Sequence, residues 1–158
     1  MPSIHITTFI AGSVDVVFDL SRHIGLHKIS QRDNKEEAVG GTTSGLINQD
    51  EWVTWKAKHF FKTRFMTTKI TAMNKPGFFE DVMTKGDFVS YSHKHYFKPT
   101  GNGTIMIDEI HFESPYGFFG KIFNRLYLTN YIKALIEKRN KTIRAYAESS
   151  KWRALLTK

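Results

Sequence analysis

Apolar and polar residues alternate from Ser3 to Ile10, with Ile4, Ile6 and Thr8 set against His5, Thr7 and Phe9. A period of two predicts a strand. Gly12-Ser13 ends the alternation. Ser13 suits a helix N-cap and Asp15 its first turn. Val14, Val17 and Phe18 then form the apolar face of a short helix to about Leu20. A second short helical piece spans Arg22 to Ser30, carrying Ile24, Leu26 and Ile29 despite Gly25.

From about Lys35 the period returns to two. β-rich runs are separated by Gly40-Gly41, Asn48-Gln49-Asp50, Asn74-Lys75-Pro76-Gly77, Lys85-Gly86-Asp87 and Pro99-Thr100-Gly101-Asn102-Gly103. This punctuation predicts a meander of antiparallel strands. A turn at Phe61-Lys62 pairs Trp55 with Thr68, Ala57 with Met66 and Val53 with Ile70, and puts the apolar residues mostly on one face. Lys56–Thr67, Thr54–Lys69 and Lys58–Phe65 become the outward pairs. A turn through Pro99 to Asn102 pairs Phe97 with Thr104, His95 with Met106, His93 with Asp108 and Tyr91 with Ile110.

After Ser114-Pro115 the pattern is helical nearly to the end. Phe119, Ile122, Phe123 and Leu126 share one face. Leu128, Ile132, Leu135, Arg139, Ile143 and Tyr146 share another, almost opposite. Neither Pro nor Gly marks a break near Leu126–Leu128. The reading favours a continuous helix whose first half packs on the short helices, on a partner subunit through Phe119, Ile122, Phe123 and Leu126, or on nothing, as a lid.

The chain has 158 residues, with no repeat or linker to divide it, and reads as one domain over 1–158. Thirteen Phe, six Tyr and three Trp supply large apolar area for a core or a cavity wall. The absence of cysteine excludes disulfides, thiolate metal sites and cysteine nucleophiles. Met1 to Ile10 has no signal-peptide pattern and no stretch is apolar enough to span a bilayer, so the expected location is cytoplasmic. The net charge of +8 is spread along the chain, reading first as a solvated basic surface.

One strand, two short helices, about six further strands and a long terminal helix make an α+β chain. A meander with one terminal helix must curl around it to bury both. The stretches Val17-Phe18-Asp19-Leu20-Ser21, Val53-Thr54-Trp55, Ala57, His59-Phe60, His93-Lys94-His95 and Phe112-Glu113-Ser114-Pro115 carry a resemblance over almost the whole chain. The chain resembles the START-like, birch-pollen-allergen-like (SRPBCC) superfamily, in its bacterial ligand-binding branch. Gly12-Ser13 stands where a proline often precedes the first helix. The resemblance implies a helix-grip fold of about seven strands around the C-terminal helix. It also implies a cavity between them for lipids, sterols, polyketides or other apolar molecules.

Strand alternation places Glu51 and His59, His93 and His95, Asp108 and Asp81 on the inner face. Such groups need partners once buried. They serve as a structural network with His93–Asp108 as a pair, as ligand anchors, or as chemistry. In the last case His93 held by Asp108 is a general base, or His93, His95 and Asp108 coordinate a divalent metal with His59. Trp55, Met66, Phe79, Met83, Tyr91, Phe97 and Met106 are the candidate cavity lining, with plain core as the competing reading.

Binding or transport of a small hydrophobic ligand is the leading expectation, with no cofactor, no committed catalytic or metal residue and no nucleic-acid partner. A cyclase, dehydratase or hydrolase using His93 and Asp108 is the alternative. An interaction module built on Lys56, Lys58 and Lys69 beside Trp52 and Phe65 comes last.

Overall fold

A computed structural model describes residues 2–115 and 117–157, with the side chains of 120 and 123–125 outside the description. The elements run β1 (Ser3–Ile10), α1 (Val14–Ser21), α2 (Ile24–Ser30), a 3-10 turn (Arg32–Asn34), β2 (Glu37–Gly41), β3 (Trp52–His59), β4 (Lys62–Asn74), β5 (Phe78–Lys85), β6 (Ser90–Thr100), β7 (Gly103–Glu113), α3 (Gly117–Phe123), a π-helical segment (Asn124–Leu128), α4 (Thr129–Ala147) and α5 (Trp152–Leu156). The seven strands form one antiparallel sheet in the order β1-β7-β6-β5-β4-β3-β2. Its ends are the first two strands, because α1 and α2 carry the chain from one edge to the other.

The helices start where the sequence expects. The Ser13 side chain accepts from the Val16 N–H, and Val17, Phe18 and Leu20 are buried. Phe18 anchors the closed end, with its ring edge-on to Phe79 and Phe97 at 5.6 and 5.3 Å. Gly12 lets α1 begin against the end of α4, since a Cβ there would lie 3.3 Å from that of Ala147.

Both hairpin registers differ from the expected ones by two residues. Trp55 pairs with Met66, Ala57 with Arg64 and Val53 with Thr68. The outward pairs are Lys56 with Phe65, Thr54 with Thr67 and Lys58 with Thr63. The cause is the turn, which lies at Phe60-Phe61, both at positive φ (52° and 62°). Gly and Asn normally occupy such a turn, so two phenylalanines there are invisible to turn rules. The second turn is Gly101-Asn102, pairing Phe97 with Met106, His95 with Asp108, His93 with Ile110 and Tyr91 with Phe112. A shift of two preserves which residues share a face. The Phe61 side chain is 99% exposed. Phe61→Gly is therefore expected to raise stability by about 1 kcal/mol through relief of the left-handed backbone, read by urea denaturation.

The terminal helix is continuous from α3 into α4, and its stripe turns over at the π-helical segment. Five-residue spacing there rotates the following side chains relative to α-helical phase. Leu128, Ile132, Ile136, Arg139, Asn140, Ile143 and Ala147 face inward. Phe118, Phe119, Ile122 and Leu126 are exposed, so these side chains do not pack on the short helices. The Phe123 side chain lies outside the described residues. The helix ends at Ala147, and the short α5 packs Leu155 and Leu156 on the core.

Candidate functional site

Between the sheet and α4 lies a cavity of about 520 Å³. Val53, Ala57, Ile70 and Phe79 wall it from the sheet, and Leu128, Ile132 and Ile136 from the terminal helix. Trp55, His59, Met66, Asp81, Tyr91, His93 and His95 also line it. Four expected lining residues do not. Phe97 and Met106 are covered by α1, through the Phe18 ring and a contact of 3.5 Å from Ser21 Oγ to Met106 Sδ. Asp108 is fully buried behind the histidines. Met83 stands near the end of β5 beside Gly86, outside the wall. Glu51 precedes β3 and accepts from Thr42 Oγ1 at 2.7 Å, holding a loop instead of facing the cavity.

The cavity floor is a polar cluster built from three strands and α4. His93 and His95 share a face of β6 because they are two residues apart. Asp81 on β5 pairs directly with His93. The His93 and His95 rings stack at 3.7 Å, and Phe79 stacks on His95 at 4.0 Å. His93 Nε2 lies 2.7 Å from Asp108 Oδ1, and His95 Nε2 lies 2.8 Å from Asp81 Oδ2. His95 Nδ1 is 3.3 Å from Asp108 Oδ1. The expected His93–Asp108 contact exists, although Asp108 directly opposes His95 and meets His93 on the diagonal.

Sequence reasoning placed Arg139 in an apolar stripe and gave it no role. It is buried, with Nη1 donating to Asn140 Oδ1 at 2.9 Å and reaching Asp108 Oδ1 at 3.5 Å. Its Nη2 donates to the Ser21 carbonyl at 3.1 Å and lies 3.4 Å from His95 Nδ1. Asn140 Nδ2 completes the shell by donating to Asp108 Oδ2 at 2.8 Å. The available signal was a cation at an apolar position, which burial permits only with a partner.

These contacts set the protonation states. Burial, with His95 beside it, pushes the His93 imidazole down to about 4 against the pull of Asp108. Burial alone would raise the Asp108 carboxyl. Hydrogen bonds from His93 and His95 and the charge of Arg139 outweigh it and hold the group well below its ordinary value. Asp81 is likewise lowered, with burial overcome chiefly by its His95 contact. Burial raises the Tyr91 phenol, which stays protonated.

Other polar groups border the apolar space. His59 Nδ1 and the Tyr131 hydroxyl meet at 2.6 Å, and Phe60 packs on the Tyr131 ring at 4.6 Å. The Ser114 hydroxyl is buried against the cavity without a hydrogen-bond partner among the described residues. Among the described residues, Asp81, His93 and His95 are grouped so that they could hold a metal, each offering an atom within 4.8 Å of the others.

A seven-stranded antiparallel sheet closed on a terminal helix, with two short helices after its first strand, is the helix-grip fold. The crystal structure of TTHA0849 from Thermus thermophilus superposes with a TM-score of 0.72 at 16% identity, covering 92% of this chain and 99% of that one. Ginseng major latex-like protein 151 from Panax ginseng gives 0.69 at 13% identity, over 94% and 98% of the two chains. A START superfamily protein from Mycobacterium smegmatis gives 0.69 at 10% identity, over 92% and 97%. No family model and no curated protein sequence matches the chain. No described helix is long and apolar enough to cross a membrane.

Proposed function

We propose that this chain binds a small, mainly apolar molecule in the space between sheet and α4, and acts as one carrier or sensor domain. The observation that carries this reading is the cavity of about 520 Å³. That volume suits a small-molecule site, and a few placed polar groups in an apolar wall suffice to orient a guest. Tyr91, Ser114 and the His93–His95 floor are such groups. The likeness of the fold to a START superfamily protein and to a major latex-like protein supports the same reading by analogy of architecture alone.

The enzymatic alternative rests on His93 and Asp108. An imidazole pushed down to about 4 is neutral at physiological pH but a weak base there. Its pairing with a buried carboxylate favours a structural or anchoring part. The basic-surface alternative has Lys56 and Phe65 side by side across the β3–β4 pair, although Phe65 also borders the cavity.

Ala57 points into the cavity from the centre of β3. Ala57→Phe is expected to fill part of it and to weaken binding of the fluorescent probe anilinonaphthalene sulfonate at least tenfold, with the urea midpoint little changed. Native mass spectrometry of protein from its own host should show a co-purified small molecule that Ala57→Phe loses. Probe affinity equal in the two proteins, with no co-purified molecule, would overturn the reading.

A further inference from the structure

We infer that Asp81, His93 and His95 form a binding site for a divalent first-row transition ion, of the zinc or iron(II) kind, on the cavity floor. The inference goes beyond the binding of an apolar guest, since such a site would hold its ion with the rest of the cavity empty.

Three observations converge. The first is placement. Asp81 and His93 are direct partners on neighbouring strands, and His95 follows on the same face. One atom from each lies within 4.8 Å of the others. Ligands about 2.1 Å from an ion stand about 3.4 Å apart in a tetrahedral site, so side-chain closure of up to about 1.4 Å assembles it.

The second is what stands behind the histidines. Asp108 lies 2.7 Å from His93 Nε2 and 3.3 Å from His95 Nδ1. A proton on His93 Nε2 satisfies the carboxylate and leaves His93 Nδ1 with a lone pair, while His95 Nδ1 accepts from Arg139 in the empty site and faces Asp108 when Nε2 is occupied. A buried carboxylate that fixes histidine tautomers in this way is the usual support of a metal ligand. His95 Nε2 is also the nitrogen that faces Asp81 Oδ2 at 2.8 Å. A lone pair aimed at a carboxylate oxygen is repulsive unless something positive lies between them. In the empty site the single His95 proton lies there; a bound ion takes its place and the proton moves to Nδ1, which faces Asp108 Oδ1 at 3.3 Å.

The third is charge. Two carboxylates, Asp81 and Asp108, stand against the single guanidinium of Arg139 in this cluster. Arg139 approaches His95 on the Nδ1 side, opposite the nitrogen facing Asp81, so it does not occupy the proposed position. Two imidazoles and one carboxylate select borderline transition ions over calcium or magnesium. All three ligands line the cavity, so an ion held by them is reachable from it.

The test uses the full chain, stripped with a chelator and titrated with cobalt(II). One equivalent should bind with visible d–d absorption that zinc(II) displaces. Imidazole nitrogen resonances of His93 and His95 in the wild-type chain should shift on adding zinc, with those of exposed His5 unmoved. Asp81→Asn retains an acceptor for His95 and removes the charge. It should weaken cobalt affinity roughly 100-fold, at or beyond the upper end seen for lost supporting residues. Absence of stoichiometric uptake would overturn the inference. So would uptake that leaves both histidines unshifted, or that Asp81→Asn leaves unchanged. The nitrogen shifts need no variant, so a poorly folding Asp81→Asn leaves the test decisive.

Discussion

Arg139→Met is expected to destabilise the chain by about 3–5 kcal/mol at neutral pH, the effect of stripping one partner from a buried ion network. The substitution keeps most of the aliphatic stem and removes only the guanidinium. Asp108 then stays fully buried with its acceptor bonds from His93 and Asn140 but no cation, and the Ser21 carbonyl loses its donor. The helix end of α1 and the middle of α4 are coupled through that donor, so the loss reaches both. The pH dependence identifies the cause. Without Arg139 the folded-state carboxyls of Asp108 and Asp81 titrate higher than in the wild type. Their protonation relieves the variant first, and the deficit narrows as pH falls toward 4. Paired urea titrations at pH 7 and pH 4.5 measure both quantities. A deficit under 1 kcal/mol, or one independent of pH, would mean that Arg139 acts as packing alone.

The same residue shows how the fold was legible while part of the site was not. Alternation along β1 and β3 to β7 depends only on which face is covered, and the element order followed from it. Strand pairing depends on turn geometry. Phe60-Phe61 adopts a conformation that its residue types disfavour, so the register came out two residues away while the faces stayed right. His93, His95 and Asp81 were readable as inward-facing for the same reason of parity. Their company was not. The guanidinium that neutralises Asp108 arrives from α4, 31 positions away in sequence. Nothing local distinguishes Arg139 from a cation snorkelling at the edge of an apolar stripe. Phe97 and Met106 show the converse. They share the inner face with true lining residues, yet α1 covers that part of the sheet, and only the packing of Phe18 separates core from cavity. The turnover of the terminal stripe was visible as a phase change, but a π-helical segment has no residue signature comparable to proline or glycine.

Stability is expected to fall by about 2 kcal/mol between pH 7 and pH 5, and by about 3 kcal/mol by pH 4, because of His93 alone. Its folded-state value is about 4 against 6.5 for a free imidazole. A depressed histidine binds its proton more readily in the unfolded chain. Between those two values the unfolded state therefore holds more protons, and stability drops as pH decreases. The contribution is complete above pH 6.5 and exhausted below pH 4. His23 and His59, both lowered by burial, act in the same direction. Asp108 and Asp81, held below their ordinary values, keep their stabilisation through this window and lose it only at lower pH. Acid unfolding should thus begin with the histidines and finish with the carboxylates. The net charge of +8 adds a competing slope through surface repulsion. Salt near 0.5 M screens exposed charges and leaves buried ones nearly untouched. Urea midpoints measured in that salt from pH 7 to pH 4 should keep most of the slope, and His93→Gln should flatten it by about one proton. A slope that salt abolishes, or that His93→Gln leaves intact, would place the titrating groups on the surface instead of at the cavity floor.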